Sequence, residues 1–272
     1  MLNAKNGRLF VNGGTLDYVR FGTGAGTLVM LPGVGDGFKT VRGAALPFAL
    51  LYRELARDFT VYLFSRGNAL AEHATTREMA AELAAAMGRL GIRQASVVGV
   101  SQGGMIAQWL AADCPALVER LVLTVTAGRA NDTILTVIGR WIALAREGDY
   151  RGIMMDYARK SASPKRLRLM LPFYALLGSA GKPKSFRRFL IQAESCLTHD
   201  AWEALPEIAC PTLVVGGAED QVVTGAASRE LAARIPGASL VMYAGLGHGL
   251  YEEAPDFLRL IADFCGQAEK HR

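Results

Sequence analysis

Six short stretches of this chain are apolar with almost no interruption: Leu28–Leu31 (LVML), Val61–Phe64 (VYLF), Ala95–Val100 (ASVVGV), Leu121–Val125 (LVLTV), Thr212–Val215 (TLVV) and Ser239–Tyr243 (SLVMY). A strand with one wet face alternates apolar and polar residues. A run that does not alternate, such as LVML or VYLF, suits a strand buried on both faces, as in a parallel sheet. ASVVGV reads as buried too, and the other three read as strands. Helical patterns separate the runs, at Phe48–Arg57, Thr76–Leu90, Gly103–Ala112, Ala226–Ala233 and Ala254–Cys265. This alternation predicts an α/β fold: an open, mostly parallel sheet with helices on both sides. Two earlier runs, Arg8–Val11 and Thr15–Phe21, flank Asn12-Gly13-Gly14 and predict a hairpin at its edge.

The alternation breaks at Ala127-Gly128 and resumes near Pro211. Between them only helical patterns occur. Ile134, Val137, Ile138, Trp141, Ile142 and Ala145 recur at the spacing of an amphipathic helix. Tyr150–Lys160, Lys165–Leu177 and Phe186–Cys196 predict three more, with Pro172 expected to kink or split the second of these. Residues 129–204 thus read as an all-helical insertion into a core formed by 1–128 and 205–272. The segment from Asn131 to Asp200 holds 12 Lys+Arg against 6 Asp+Glu, whereas the rest of the chain holds 18 against 19. The positive surplus therefore lies in the insertion. Its basic residues sit among helical apolar patterns, not in a dense tract, which reads as a solvated face and not as a nucleic-acid site.

With 51% hydrophobic residues the chain is too apolar to be disordered. No apolar run approaches the roughly 18 residues of a membrane helix, so no membrane partner is expected. Met1–Phe10 lacks the basic and apolar regions of a signal peptide. Cys114, Cys196, Cys210 and Cys265 have no paired spacing and read as reduced thiols of a cytoplasmic protein.

Gly99-Val100-Ser101-Gln102-Gly103 is a G-x-S-x-G sequence between a predicted buried strand and a predicted helix. A serine on such a turn holds its oxygen exposed, and flanking glycines remove side chains that would clash. The helix start also offers unpaired N–H groups to an anion. A serine hydroxyl needs a general base, and the base an orienting acid. Of four histidines, His73 precedes a helix, His199 ends the insertion and His271 is at the terminus, while His248 lies in a glycine-rich loop after the last strand. That is the carboxyl edge of the sheet, where ligands bind in open α/β folds. Asp220, just past TLVV, is the candidate acid from the same edge, with Glu219 beside it and Asp132 after LVLTV as alternatives.

The order Ser101, Asp220, His248 resembles the α/β-hydrolase superfamily. The resemblance spans the chain: the elbow GVSQGG, the PTLVVGG strand leading to Asp220, the Gly247-His248 loop, and a helical cap inserted after LVLTV. The chain looks most like the small capped hydrolases, which include enol-lactonases, C–C bond hydrolases and RsbQ-like proteins. The resemblance implies that the backbone N–H groups of Val34 and Gln102 form an oxyanion hole. Pro32 stands where the family usually has a loop-shaping histidine. It further implies a serine hydrolase of small carboxylic esters, lactones or thioesters. C–C bond hydrolysis and cofactor-free perhydrolysis use the same residues in this superfamily, and small-molecule sensing is a third use of the pocket.

No metal cluster and no nucleotide motif is present in the sequence; Gly22–Gly26 and Gly33–Gly37 lack the third glycine of a dinucleotide loop. The reading is thus a cofactor-free monomer or homodimer acting on a small-molecule substrate, with the basic insertion favouring an acidic one. Arg66 reads as a surface or loop-anchoring arginine, with contact to an acidic substrate as the alternative. Asp36 faces the expected site, though Asp-Gly is also turn chemistry. Trp141, Tyr150, Tyr157, Phe173, Tyr174, Phe186 and Phe189 are expected to fill the insertion, two or three of them lining a pocket.

Overall fold

The apolar runs become strands of one eight-stranded sheet: β1 (Lys5–Val11), β2 (Gly14–Phe21), β3 (Gly26–Leu31), β4 (Phe59–Gly67), β5 (Ala95–Val100), β6 (Val118–Thr124), β7 (Thr212–Gly217) and β8 (Ser239–Tyr243). The structure is a computed structural model that describes residues 2–177 and 181–266, with the backbone alone at residue 170 and residues 172–177. Strand order is β1-β2-β4-β3-β5-β6-β7-β8. β1 and β2 form an antiparallel hairpin, β2 runs antiparallel to β4, and every pairing from β4 to β8 is parallel. The hairpin turn is Asn12-Gly13, closed by Val11 opposite Gly14. Both turn residues have positive φ, 48° and 81°, the two-residue geometry that matches strand twist.

The inner strands β3, β5, β6 and β7 are buried on both faces, so their successive residues feed two different cores. The edge strand β8, expected from SLVMY, has no buried residue and Leu240 is exposed, because among the described residues no strand covers the sheet edge there. Val29 and Leu31 pack with α3 (Thr76–Arg89), α4 (Gln102–Asp113) and α9 (Gly225–Arg234). Leu28 and Met30 pack on the opposite side with α1 (Ala45–Leu51), α2 (Leu55–Asp58) and α11 (Phe257–Cys265). A capping box fixes the start of α3: the Glu78 N–H donates to Thr75 Oγ1 and the Thr75 N–H to Glu78 Oε2.

Between β6 and β7 the chain forms α5 (Asp132–Arg146), α6 (Tyr150–Ser161), α7 (Pro164–Leu177) and α8 (Arg187–Leu197). All six residues of the predicted α5 stripe are buried. With Phe189, Ala193 and Cys196 they form a third core, which rests on Met105, Val222 and Val223 of the sheet-bearing part. Each large apolar side chain buried in this way contributes roughly 1.5–3 kcal/mol.

Three local expectations change. The predicted helix Phe48–Arg57 is two helices, α1 and α2, with a turn at residues 52–54. α1 starts earlier because Pro47 falls in its first turn, where a missing N–H is tolerated. The predicted closing helix begins at Phe257 rather than Ala254. Pro255 forces the preceding residue toward extended geometry, and Ala254 has ψ 116° at the end of the short helix α10 (Leu250–Glu253). α7 continues across Pro172 as one element and is not split. The side chains of Phe173 and Tyr174, and His271, lie outside the described residues. Among the described residues no helix is long and apolar enough to cross a membrane.

Candidate active site

Ser101 joins the end of β5 to the start of α4, with φ 53° and ψ −120°. Backbone in such a region costs of order 1–3 kcal/mol and must be held by its surroundings. Here the Ser101 N–H donates to the Thr124 carbonyl at 2.9 Å. The Ser101 carbonyl accepts from Gly104 N–H at 2.8 Å and from the Thr126 hydroxyl at 2.8 Å. Close approach explains the last glycine of the motif: a Cβ on Gly103 would lie 2.2 Å from the Leu31 carbonyl oxygen.

The loop after β8 delivers His248 to this turn, and the turn after β7 delivers Asp220. His248 Nε2 is 3.0 Å from Ser101 Oγ, and His248 Nδ1 is 2.8 Å from Asp220 Oδ2. The second carboxylate oxygen of Asp220 accepts the Val222 and Val223 N–H groups at 2.7 and 3.0 Å. Burial pushes the Asp220 carboxyl up, but the His248 charge, its hydrogen bond and the two amides outweigh this and hold it below the ordinary carboxylate value. Asp220 and His248 are both buried.

The alternatives fall elsewhere. Glu219 is exposed, and Asp132 is exposed in the first turn of α5. His73 is exposed. His199 is buried between the Thr76 hydroxyl (2.8 Å) and Gln108 Oε1 (3.4 Å), and burial pushes it down to about 4.

Val34 is the first residue of a 3-10 turn, Val34–Gly37, and Gln102 is the first residue of α4. A residue in that position has no carbonyl partner within its own helix, so neither N–H is bonded inside its helix. The Val34 loop runs beside the serine: a Cβ on Gly33 would lie 3.4 Å from Ser101 Cβ.

A buried polar network lies behind this loop. Asp36 Oδ2 accepts from Arg188 Nη2 at 2.7 Å, from the Arg66 N–H at 3.1 Å and from Gln192 Nε2 at 3.3 Å. Arg188 also donates to the carbonyls of Asp36, Arg66 and Gly67. Arg66 is buried, not a surface residue. Its guanidinium donates to the Pro32 carbonyl and, at 3.0 Å, to Gln102 Oε1. Gln102 Nε2 in turn donates to the Gln192 carbonyl at 2.7 Å and to Ser195 Oγ at 3.0 Å.

A cavity of about 390 Å³ opens onto Ser101 and His248. Four of the aromatic residues expected in the insertion line it, Trp141, Tyr150, Tyr157 and Phe189, together with Phe38 and Tyr251. Phe186 instead packs edge-on against Phe38. The sequence reading did not single out Tyr251, Arg188, Gln192 or Ser195. For the last two a signal was present: both are polar residues on the inward face of α8.

The inserted helices also grip the loop that carries His248. The Gly249 N–H donates to the Ser161 carbonyl at 2.9 Å, and the Tyr157 and Tyr251 hydroxyls are 3.0 Å apart. The Ser163 N–H donates to Glu253 Oε1 at 2.9 Å, and Arg166 Nη1 to the Glu252 carbonyl at 2.8 Å. Among the described residues no three His, Cys, Asp or Glu side chains converge as a metal site.

Residues 28–259 match the family model described as the alpha/beta hydrolase family. BpoC of Mycobacterium tuberculosis (strain ATCC 25618 / H37Rv), provisionally named a non-heme bromoperoxidase, is 29% identical over 254 residues, covering 89% of this chain and 93% of that protein. A 2-hydroxy-6-oxononadienedioate/2-hydroxy-6-oxononatrienedioate hydrolase of Pseudomonas putida is 28% identical over 275 residues, covering 92% and 91%. The crystal structure of the enol-lactonase from Burkholderia xenovorans LB400 superposes with a TM-score of 0.82 at 22% identity, covering 96% of this chain and 100% of that one.

Proposed function

The chain belongs to the alpha/beta hydrolase family and is an enzyme of that type; from that premise we propose that it is a serine hydrolase of a small carboxylic ester, lactone or thioester. The observation that carries this reading is the line from Asp220 Oδ2 through His248 to Ser101 Oγ, at 2.8 and 3.0 Å, ending in a cavity of about 390 Å³.

In this reading Ser101 Oγ attacks the substrate carbonyl carbon while His248 Nε2 takes its proton. Asp220 holds the Nδ1–H tautomer and stabilises the imidazolium that forms. The carbonyl oxygen, now an anion, receives the Val34 and Gln102 N–H groups; a donor of this kind is typically worth about 3 kcal/mol. Collapse breaks the bond to the leaving alcohol or thiol, which takes the proton from His248. Water then gives a proton to His248 and attacks the acyl-enzyme, releasing the acid and restoring Ser101.

Residues 129–204 act as a cap whose aromatic side chains select the acyl or alcohol part. Lys39 lines the cavity and has no ion pair among the described residues, which supports an acidic group on the substrate. All four cysteines are unpaired, which supports a cytoplasmic location. The similarity to BpoC and to the Pseudomonas putida hydrolase favours a second reading: the same serine, histidine and aspartate with a different bond or nucleophile, as in C–C bond hydrolysis or perhydrolysis. No observation favours a sensing role.

The test is labelling by a fluorophosphonate together with turnover of p-nitrophenyl esters, each compared with Ser101→Ala. Labelling and turnover that vanish in the variant establish the nucleophile. Labelling with no ester turnover, followed by turnover of a dienoate or of ester plus peroxide, moves the function to the second reading. Absence of labelling removes Ser101 from the mechanism.

A further inference from the structure

Arg66 touches both segments carrying the two N–H groups assigned to the oxyanion, and its side chain binds them directly; Gln192 also reaches both, through Asp36 Oδ2 and Gln102 Nε2. From the end of β4 its guanidinium nitrogen Nη2 donates to the Pro32 carbonyl, two residues before Val34, and to the side chain of Gln102 at 3.0 Å. One nitrogen with two hydrogens thus bridges the loop after β3 and the first residue of α4. The far side of Gln102 is fixed as well, because its Nε2 donates to the Gln192 carbonyl and to Ser195 Oγ on α8. The backbone of Arg66 is held too, its N–H by Asp36 and its carbonyl by Arg188. Nothing around Arg66 leaves it free to contact a substrate: it is 3% exposed and does not line the cavity.

We propose that Arg66 is a positioning residue for the oxyanion hole, clamping Pro32 to Gln102 so that the Val34 and Gln102 N–H groups hold the separation a tetrahedral intermediate needs. The inference rests on the serine hydrolase reading of the same site. Where the family usually has a histidine to shape this loop, this chain has Pro32, which has no side-chain donor or acceptor. The loop is instead shaped from outside, through the Pro32 carbonyl. A guanidinium suits the task because its donors are fixed in a plane and it stays charged when buried. Burial pushes Arg66 down to about 10, with Asp36 opposing, so it remains a cation at neutral pH.

The clamp acts on the transition state, so its loss lowers kcat and leaves KM nearly unchanged. The experiment compares Arg66→Met, Arg66→Lys and Gln102→Met with the unsubstituted chain in p-nitrophenyl ester turnover over a pH series, with a boronic acid as a mimic of the tetrahedral adduct. Arg66→Met is expected to lower kcat about 10- to 100-fold, to change KM less than twofold and to weaken boronate inhibition by a similar factor. The pH midpoint on the acid side stays in place, because the His248–Asp220 pair is untouched. Arg66→Lys, which can still donate to both acceptors, recovers part of kcat. Gln102→Met cuts the clamp at its other end while keeping the Gln102 N–H, and gives a loss in the same direction if Arg66→Met does not fold. Retained kcat and boronate affinity in either folded methionine variant overturn the inference and leave the serine hydrolase reading standing. So does a kcat loss matched by a rise in KM and a moved pH midpoint, the signature of a generally disordered site. No turnover and no labelling in the unsubstituted chain remove both.

Discussion

Arg188 of α8 and Asp36 of the loop after β3 form an ion pair of 2.7 Å although 152 residues separate them in sequence. The Asp36 side chain has no exposure and that of Arg188 has 15%, so solvent screens the pair poorly. Removing one partner of a buried pair leaves the other charge uncompensated and costs about 3–5 kcal/mol. Arg188→Met is therefore expected to destabilise the chain by about 3 kcal/mol or more in urea unfolding. A loss under about 1 kcal/mol would mean that solvent reaches Asp36 once the arginine is gone.

The aspartate at the far end of the serine line makes a pH-dependent prediction. The folded state holds the Asp220 carboxyl below its ordinary value, so the stabilisation is present above the unfolded value of about 3.9 and is lost as pH falls through the lower folded value. Unfolding free energy should fall on acidification below about pH 4, and less so in Asp220→Asn, which has no carboxyl to protonate. The same variant should lower kcat about 10³- to 10⁴-fold, because an amide neither enforces the tautomer nor stabilises the imidazolium. An acid-side stability curve identical in the two chains contradicts the assigned direction.

Glycine substitutions separate close approach from mere flexibility. A Cβ on Gly103 meets the carbonyl oxygens of Leu31 at 2.2 Å and Pro32 at 2.7 Å, both backbone atoms that cannot swing aside. Gly103→Ala should destabilise by about 2 kcal/mol or more and abolish fluorophosphonate labelling. Gly139, in the middle of α5, has nothing within 4 Å of such a Cβ. Gly139→Ala should stabilise by about 0.5–1 kcal/mol through helix propensity alone. Equal thermal midpoints for the two variants would contradict the close packing of α4 against β3.

Charge at the cavity can be read from salt dependence. If Lys39 attracts an acidic substrate, kcat/KM for an anionic ester should fall as ionic strength rises. Lys39→Ala should lower it about three- to tenfold, and more than for a neutral ester of the same size. Salt-independent kcat/KM across a set of anionic esters would remove the preference.

Much of the sheet was legible because burial on both faces writes itself into sequence as runs without alternation. LVML at Leu28–Leu31 is such a run, and its residues do divide between two cores. The elbow was legible for a different reason: close approach demands glycine, and Gly103 has no alternative. The separation of Asp220 from Glu219 follows from the short turn after β7, which buries one and exposes the other. Other features left no local trace. Asp36 meets Arg66, Arg188 and Gln192 across sequence gaps of 30 to 156 residues, and Asp36, Arg66 and Arg188 each alone look like ordinary polar residues. The break between α1 and α2 was missed because both halves keep a helical apolar spacing. The late start of α11 was readable from Pro255 once its effect on the residue before it is considered.

The inserted helices are fastened at two places, by α8 to the loop bearing Val34 and by the α6–α7 junction to the loop bearing His248. In the proposed mechanism the walls of the cavity are therefore continuous with the parts that convert the substrate. A substitution that widens the cavity by shifting α6 or α8 is expected to move the loop bearing His248 or the loop bearing Val34 as well. In that mechanism selectivity and speed are mechanically linked, and an evolutionary path to a new substrate runs first through side chains that can change size without moving their helices, such as Met154 on α6.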